Sequence, residues 1–529
     1  MPDMWGPLHR GAAQVHADLP GFQGNEIPDG TDGRIIDLEA HVASLPAPRP
    51  PGSAVQRPVT LLAYDEAMHN TSAAPPSASA PPAAPQAGAS AAPSASTPAR
   101  SVLFNRRVLP WALWDWGSAA FNAVVTTFVF TPYLSNEKFF GNQANALIGW
   151  GLALAGLLVA LIAPAVGQWA DRSGKKNSLL TLTTLVTIVC MALLFFVAPS
   201  PSYLWLGVVL LAVGNIVFEI GSVVYNAMVT DISTPATLGR ISGFGWGMGY
   251  VGGIVLLLIL FIGFISPDTG WFGVTSANGM NIRVCMIACA LWTLIFSAPL
   301  MVLSRDESPR GEQSRGIIAA YRAIFRSIAR LWHADRSTFW FLISSAIYRD
   351  GLAGVFAFGG VLAARVFGFT PGEVMIFGIA ANVIAGVATI AFGWLEDIIG
   401  ARRVIFMSLT LMIACGCVLF LMHDAGKSLF WVFGSLLCIF VGPVQSSSRT
   451  YLARRAGREN SGELFGLYAT TGRAVSFLTP ALYSAAIMSF GALAGVSGDA
   501  AAHYGILGII AVLAVGLAAF YGSLRAGRR

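Results

Sequence analysis

Apolar runs of about twenty residues, each long enough to cross roughly 30 Å of hydrocarbon as a helix, recur twelve times from Trp111 onward. They cover residues 112–134, 145–166, 178–197, 203–228, 241–264, 282–303, 338–361, 373–395, 403–422, 429–452, 463–490 and 503–523. Lipid offers the backbone no hydrogen bonds, so runs of this length satisfy themselves as helices. The expected fold class is therefore an all-α polytopic membrane protein of twelve transmembrane helices. Composition agrees: 55% of residues are hydrophobic and only 11% charged, where a soluble domain carries about 25%. All six cysteines lie inside apolar runs, with neither zinc spacing nor a disulfide framework. No metal or cofactor is expected.

The chain divides by composition. Residues 1–105 include an Ala/Pro/Ser-rich stretch, "SAAPPSASAPPAAPQAGASAAPSASTPAR". Such a segment cannot bury a core and is expected to be a disordered cytoplasmic tail. Met68 is an alternative start upstream of the membrane region. Residues 106–303 and 338–529 each hold six runs, and residues 304–337 join them. In this linker Arg322, Arg326 and Arg330 recur every four residues, and Ile317, Tyr321, Ile324, Phe325, Ile328 and Leu331 cover the opposite face. That pattern is a basic amphipathic helix lying on the inner leaflet.

The net charge of +6 would by itself admit a nucleic-acid partner. Its distribution points to topology instead. Arg106, Arg107, Arg172, Lys175, Lys176, Arg240, the linker arginines, Arg402, Arg403, Arg454, Arg455, Arg458 and Arg525 all flank the same side of the runs. The opposite loops offer little more than Lys138, Arg283, Arg365 and Lys427. By the positive-inside rule both termini are cytoplasmic. The expected setting is the cell (inner) membrane, with a monomer in the lipid bilayer and no nucleic acid.

One loop occurs twice. After the second run stands "GQWADRSGKK", and after the eighth "GWLEDIIGARR". Gly167/Gly393, Asp171/Asp397 and Gly174/Gly400 coincide. Arg172 follows the first aspartate, and the basic pairs Lys175–Lys176 and Arg402–Arg403 follow the glycines. The glycines permit a tight turn and close helix approach. The aspartates suit a positive helix N-terminus or an arginine. Equal placement in two sets of six runs indicates a duplicated bundle.

Both loops resemble the signature loop of the major facilitator superfamily, which is associated there with gating between inward- and outward-open states. The second copy departs, with Ile398 where a basic residue follows the aspartate. The stretches "WDWGSAAFNAVV", "YNAMVTDI", "GRISGFGWGMGYVGG", "YRDGLAGVFAFGGVLAARVFGF" and "GPVQSSSRTYLARRAGRENSGELFGLYATTGRAVSFLTP" resemble the vacuolar-effluxer-like branch, also called the unknown major facilitator family. The resemblance covers residues 107 to about 520. It implies the major facilitator fold, with the first, fourth, seventh and tenth spans lining a central cavity.

Polar residues inside those four runs can be set against that expectation. Each ionisable group costs roughly 2.5–3.5 kcal/mol to insert, so it should face a cavity or a partner. Asp115, Ser118, Asn122 and Thr126 share one helical face, as do Asn215, Glu219, Ser222 and Asn226. The seventh run carries Ser345, Arg349 and Asp350, the tenth Gln445, Ser448 and Arg449, and the eleventh Arg473. Asp115 stands among Trp111, Trp114 and Trp116, which fits either an interfacial cap or a cavity group. Arg349–Asp350 and Arg473 have similar structural readings, as charge pairs holding helices together. Gly245, Gly249 and Gly253 form a close-packing ridge on the fifth run, which lacks the antiporter-type glycine–proline signature.

The expected activity is secondary transport of a small solute by alternating access, with protons as a candidate coupling ion. The resemblance suggests amino acids or small peptides as cargo. A non-transporting receptor or scaffold on the same bundle is the alternative. An enzyme lacks support, since no nucleophile–base pair, metal cluster or nucleotide loop is visible. Reporter fusions after residues 175, 240 and 402 should all read as cytoplasmic. A single extracytoplasmic reading among them removes the topology.

Overall fold

The computed structural model describes residues 102–306, 308 and 317–526. The Ala/Pro/Ser-rich tail, Arg310, Arg315 and the last three residues lie outside the described residues. Among the described residues, eleven helices are long and apolar enough to cross a membrane, and they match the second to twelfth expected spans.

The first span is built differently. Helix α1 (Val108–Ala120) passes into a π-helical stretch, Phe121–Phe128, and then into the short α2 (Phe130–Leu134). Pro132 explains the break. It cannot donate to the carbonyl four residues back, and its ring crowds that carbonyl. The hydroxyls of Thr126 and Thr127 donate to the Asn122 carbonyl at 2.8 Å each, satisfying part of the loosened backbone.

The remaining long helices are α3 (Ala144–Ser173), α4 (Lys176–Leu193), α5 (Leu204–Ile232), α6 (Leu238–Leu260), α7 (Met280–Leu303), α8 (Ile317–Ala334), α9 (Arg336–Arg365), α10 (Pro371–Ile399), α11 (Ala401–Leu421), α12 (Lys427–Ala456), α13 (Ser461–Val475), α14 (Leu478–Ala494) and α15 (Gly505–Ala526). Helices α1 and α3–α7 form one group and α9–α15 a second, and the most extensive helix contacts of all are two that join the groups. The two groups meet where α6 crosses α10 and α3 crosses α13.

Small residues make these crossings possible. On α6, Gly239, Gly243 and Gly247 lie against Gly393, Thr389, Ile390 and Gly386 of α10. A Cβ on Gly243 would stand 2.6 Å from the Thr389 carbonyl oxygen. On α3, Gly167 abuts the backbone of Gly462, and Gly466 abuts Ala163 and Pro164. The expected ridge of Gly245, Gly249 and Gly253 is a different face of α6. It receives Trp111, Asp115 and Ala119 of α1. Alternating glycines thus give α6 two close-packing faces, one toward each group of helices.

The eleventh span is also broken. Its two pieces, α13 and α14, are separated at Ser476–Phe477. Pro480 lacks the N–H that would continue the ladder. Asp350 of α9 supplies an acceptor there: its Oδ2 takes the Thr479 amide at 2.6 Å and the Thr479 hydroxyl at 2.7 Å. Asp350 is 8% exposed, so Asp350→Ala leaves two donors without a partner in an apolar setting. The expected loss is about 3 kcal/mol, seen as a lowered thermal midpoint of the purified protein. Asp350→Asn keeps an acceptor and should lose less than half as much; equal losses would remove the cap from the account of this break.

Candidate functional site: two polar clusters between the helix groups

The polar residues expected to share one cavity fall into two clusters and several single contacts. The first cluster is closed and lies toward the basic-loop end. Arg449 of α12 is only 1% exposed. Its Nη1 donates to Asn226 Oδ1 of α5 at 3.0 Å. Its Nε and Nη2 donate to the hydroxyl and carbonyl of Ser242 on α6, at 2.8 and 2.5 Å. The guanidinium lies 5.0 Å from the Trp111 ring, 4.9 Å from the Trp246 ring and 5.8 Å from the Tyr225 ring.

The aromatic wall is itself ordered. Trp111 stacks on Tyr225 at 4.6 Å, and its indole N–H donates to the Tyr225 carbonyl at 3.1 Å. Asp115 belongs here. It accepts from the Tyr225 hydroxyl at 3.3 Å and abuts Gly249, so it is packed inward on α1 and does not cap the interface. Ser242, Tyr225 and Trp246 were not singled out in the sequence. Their only signal was position, beside glycines on α6 and one residue before Asn226 on α5.

The second cluster lies near the middle of α5 and is open. Glu219 of α5 and Arg473 of α13 form an ion pair with side chains 26% and 31% exposed. Arg349 of α9 lies 3.7 Å over the Tyr468 ring and donates to the Tyr468 carbonyl at 3.1 Å. The same guanidinium borders Gly472, one residue before Arg473. Asn122 is exposed on the π-helical part of the first span. Gln445 is half-buried on α12.

Three expectations need correction. Asp350 does not share a space with Glu219, because it caps α14 as described above. Ser118 faces a small pocket with Thr183, Thr184 and Thr293, away from Asn122 on its own run. Ser345 turns back to the Leu342 carbonyl. A helical face read from sequence assumes a straight helix in one environment; the π-helical turn and the bundle's own interior divide these faces.

The repeated loops clasp the two helix groups together. Gly174 ends α3 in a left-handed conformation at φ 70°, and Gly400 ends α10 at φ 87°. Asp171 accepts from the Glu463 amide at the start of α13, at 2.9 Å. Its ion-pair partner is Lys176 at 3.3 Å, which also reaches Asp231 and Ser461. Arg172 is half-buried, and Lys175 is exposed. The cation for Asp171 therefore comes from the second lysine of the pair.

In the second copy Asp397 accepts from the Gly239 amide at 2.8 Å, the Arg240 amide at 3.2 Å and Arg240 Nε at 2.6 Å. The basic residue that Ile398 displaces is thus replaced from across the crossing. Arg402 instead lies 5.6 Å over the Tyr451 ring. Glu396 was missed in the sequence although it precedes Asp397. It is fully buried, accepts from Ser447 at 2.8 Å and from Thr450, and pairs with Arg454 at 3.4 Å.

A bundle with two polar clusters between two helix groups, clasped at one end, defines a membrane transporter of the major facilitator type. The family model for "Vacuole effluxer Atg22 like" matches residues 138–521, and the chain belongs to that family. An uncharacterized MFS-type transporter of Bacillus subtilis, YxiO, is 23% identical over 72% of this chain and 88% of its own length. Autophagy-related protein 22-1 of Neosartorya fischeri is 25% identical over 46% of this chain. The match spans only 42% of that fungal protein. Among solved structures, the MFS transporter FucP in its outward conformation superposes with TM-score 0.60 at 14% identity, covering 80% of this chain and 99% of FucP. A bacterial homologue of the iron transporter ferroportin, in an outward-facing state, gives 0.58 at 14% identity, over 79% and 98% of the two chains. These likenesses concern the fold.

Adjacency of charge in the sequence favours Asp171 as the more critical aspartate; the contacts favour Asp397, which accepts from two amides and a guanidinium. Asp397→Asn is expected to open the clasp at least as far as Asp171→Asn. Spin labels at Ala236 and Arg403 for one crossing, and at Lys175 and Glu459 for the other, read this as a distance change. A wider opening with Asp171→Asn would restore the order drawn from charge adjacency.

Proposed function

We propose that this secondary transporter carries a small zwitterion, an amino acid or small peptide, and that protons drive it. The observation behind the proposal is the Glu219–Arg473 pair, of opposite charges from the two helix groups and about a third exposed at mid-membrane. A zwitterion carries the complementary pair. Its carboxylate suits Arg473, with Arg349 of α9 close by against α13, and its ammonium suits Glu219.

Binding of this kind couples cargo to conformation. The ion pair ties α5 to α13, so a ligand that separates it removes one tie between the groups. A ligand shifts a conformational equilibrium only by its differential affinity for the two states. Here that difference is the pair it breaks. Once Arg473 is engaged by the cargo carboxylate, Glu219 takes a proton and moves neutral, its carbonyl oxygen still accepting from the cargo ammonium. The clasp at Asp171 and Asp397, with Arg449 behind it, then opens as residues 106–303 and 338–529 rock against each other about the glycine crossings. Residues 304–337 keep the two six-helix halves joined. The topology proposed is a monomer in the cell membrane with both termini cytoplasmic, which puts the clasp on the cytoplasmic side.

Proteoliposomes test this reading. Amino acids and short peptides should exchange by counterflow and accumulate with an imposed proton gradient. Glu219→Gln keeps a carbonyl acceptor for the ammonium and mimics the neutral carboxyl, so it is expected to cut gradient-driven uptake at least tenfold yet spare counterflow, which needs no net proton movement. Arg473→Gln should lose both. Gradient-driven uptake that survives Glu219→Gln overturns the coupling role. An absence of exchange for every zwitterion tried would overturn the substrate class and leave the receptor reading standing.

A further inference from the structure

Helix α8 has a surface that the transport site does not use. One side is fastened to the bundle: Ile324 is buried, and Ile328 and Leu331 pack against the main apolar core. The flank beside it is different. Phe325 is 68% exposed and Trp332, two helical turns on, is 40% exposed. About 100° further around the helix run Arg322, Arg326 and Arg330, all exposed.

The aromatic line continues onto the membrane-spanning surface. Trp332 meets Phe339 and Trp340 of α9, with ring centroids 5.0 and 6.1 Å away. Trp340 is 39% exposed. Arg336 lies 5.7 Å over the Trp332 ring, extending the cationic line past the end of the helix. Helix α8 contains no aspartate or glutamate. The acid that follows it, Asp335, is taken by Arg455 at 3.0 Å. Four guanidinium groups therefore stand beside a strip of uncovered aromatic rings.

We infer that α8 is a docking site for anionic phospholipid headgroups of the leaflet on the basic-loop side. The rings of Phe325, Trp332 and Trp340 take the boundary between headgroups and acyl chains, where amphipathic aromatics concentrate. The arginines then meet the phosphates, for which the planar guanidinium fork is suited. The continuity of the strip with a spanning helix selects lipid over a soluble partner, since Trp340 lies on the same surface that meets the bilayer. Charge complementarity selects anionic over zwitterionic lipid, each arginine near such a surface strengthening binding about fivefold. The site rests on the membrane topology proposed above and is independent of the cargo.

The test uses the full chain, purified in detergent and titrated with phosphatidylglycerol or phosphatidylcholine, with bound lipid measured by native mass spectrometry. The wild type is expected to prefer phosphatidylglycerol. R322Q/R326Q/R330Q should weaken phosphatidylglycerol by about a hundredfold and leave phosphatidylcholine unchanged. F325A/W332A should weaken both lipids. R106Q/R107Q/R403Q removes the same charge from other exposed positions and should have little effect. Thermal midpoints check that each variant is folded. Equal retention of the two lipids by the wild type, or equal loss in the two triple variants, overturns the site. So does a second copy or an acidic polypeptide bound at α8 in place of lipid. Zwitterion exchange by the same variants, reconstituted into proteoliposomes, reads the transport proposal separately, since the α8 variants leave Glu219 and Arg473 intact.

Discussion

Two backbone-to-backbone crossings carry the closed end of this bundle. Where Gly243 meets Gly393, and Gly167 meets Gly462, no side chain separates the helices. Lipid gives helices little hydrophobic reason to associate, so close van der Waals approach and interhelical hydrogen bonds must do it. The glycines allow both. They bring the ends of α3 and α10 near enough for Asp171 and Asp397 to accept from the first amides of α13 and α6. Those amides lack intrahelical partners and lie at the positive ends of helix dipoles, where a carboxylate is favoured. A larger residue at either crossing would move the helices apart and withdraw both kinds of contact.

The charges inside the membrane sort by what surrounds them. Arg449 is fully enclosed, and its cost is met by hydrogen bonds to Asn226 and Ser242 together with three aromatic faces. A desolvated cation–π contact is worth about 2 kcal/mol, comparable with one charged hydrogen bond. Asp350 and Glu396 are similarly enclosed and similarly satisfied. Such groups hold helices in place. Glu219 and Arg473 differ because each satisfies the other while both remain reachable.

The two broken spans have a common origin. Pro132 and Pro480 each interrupt a helix where polar groups are at hand: Thr126 and Thr127 in the first case, Asp350 in the second. Within a bilayer a broken helix persists only where its freed backbone groups are satisfied or face water. Asn122 and Arg473 stand beside these breaks. The irregular backbone and the reachable polar groups of the bundle therefore occur together.

Length and polarity made the architecture readable from the chain alone. Twenty apolar residues cross a bilayer, basic residues mark one side, and a loop repeated after the second and eighth runs reveals duplication. These signals are local, so each could be read in its own segment. The identity of partners was not local. Nothing within "GWLEDIIG" says that Arg240, far earlier in the chain, supplies its cation, or that Glu396 is sealed by Ser447 and Thr450. Asp115 remained open between cap and cavity because its hydrogen-bond donor, Tyr225, sits on another helix. Asp350 read as a cavity residue because the break it caps lies on α14, not on its own helix. A single run specifies that its segment spans and which residues are costly to bury. Which of those charges is sealed by other helices, and which stays partly open, depends on helix crossings set by residues hundreds of positions apart.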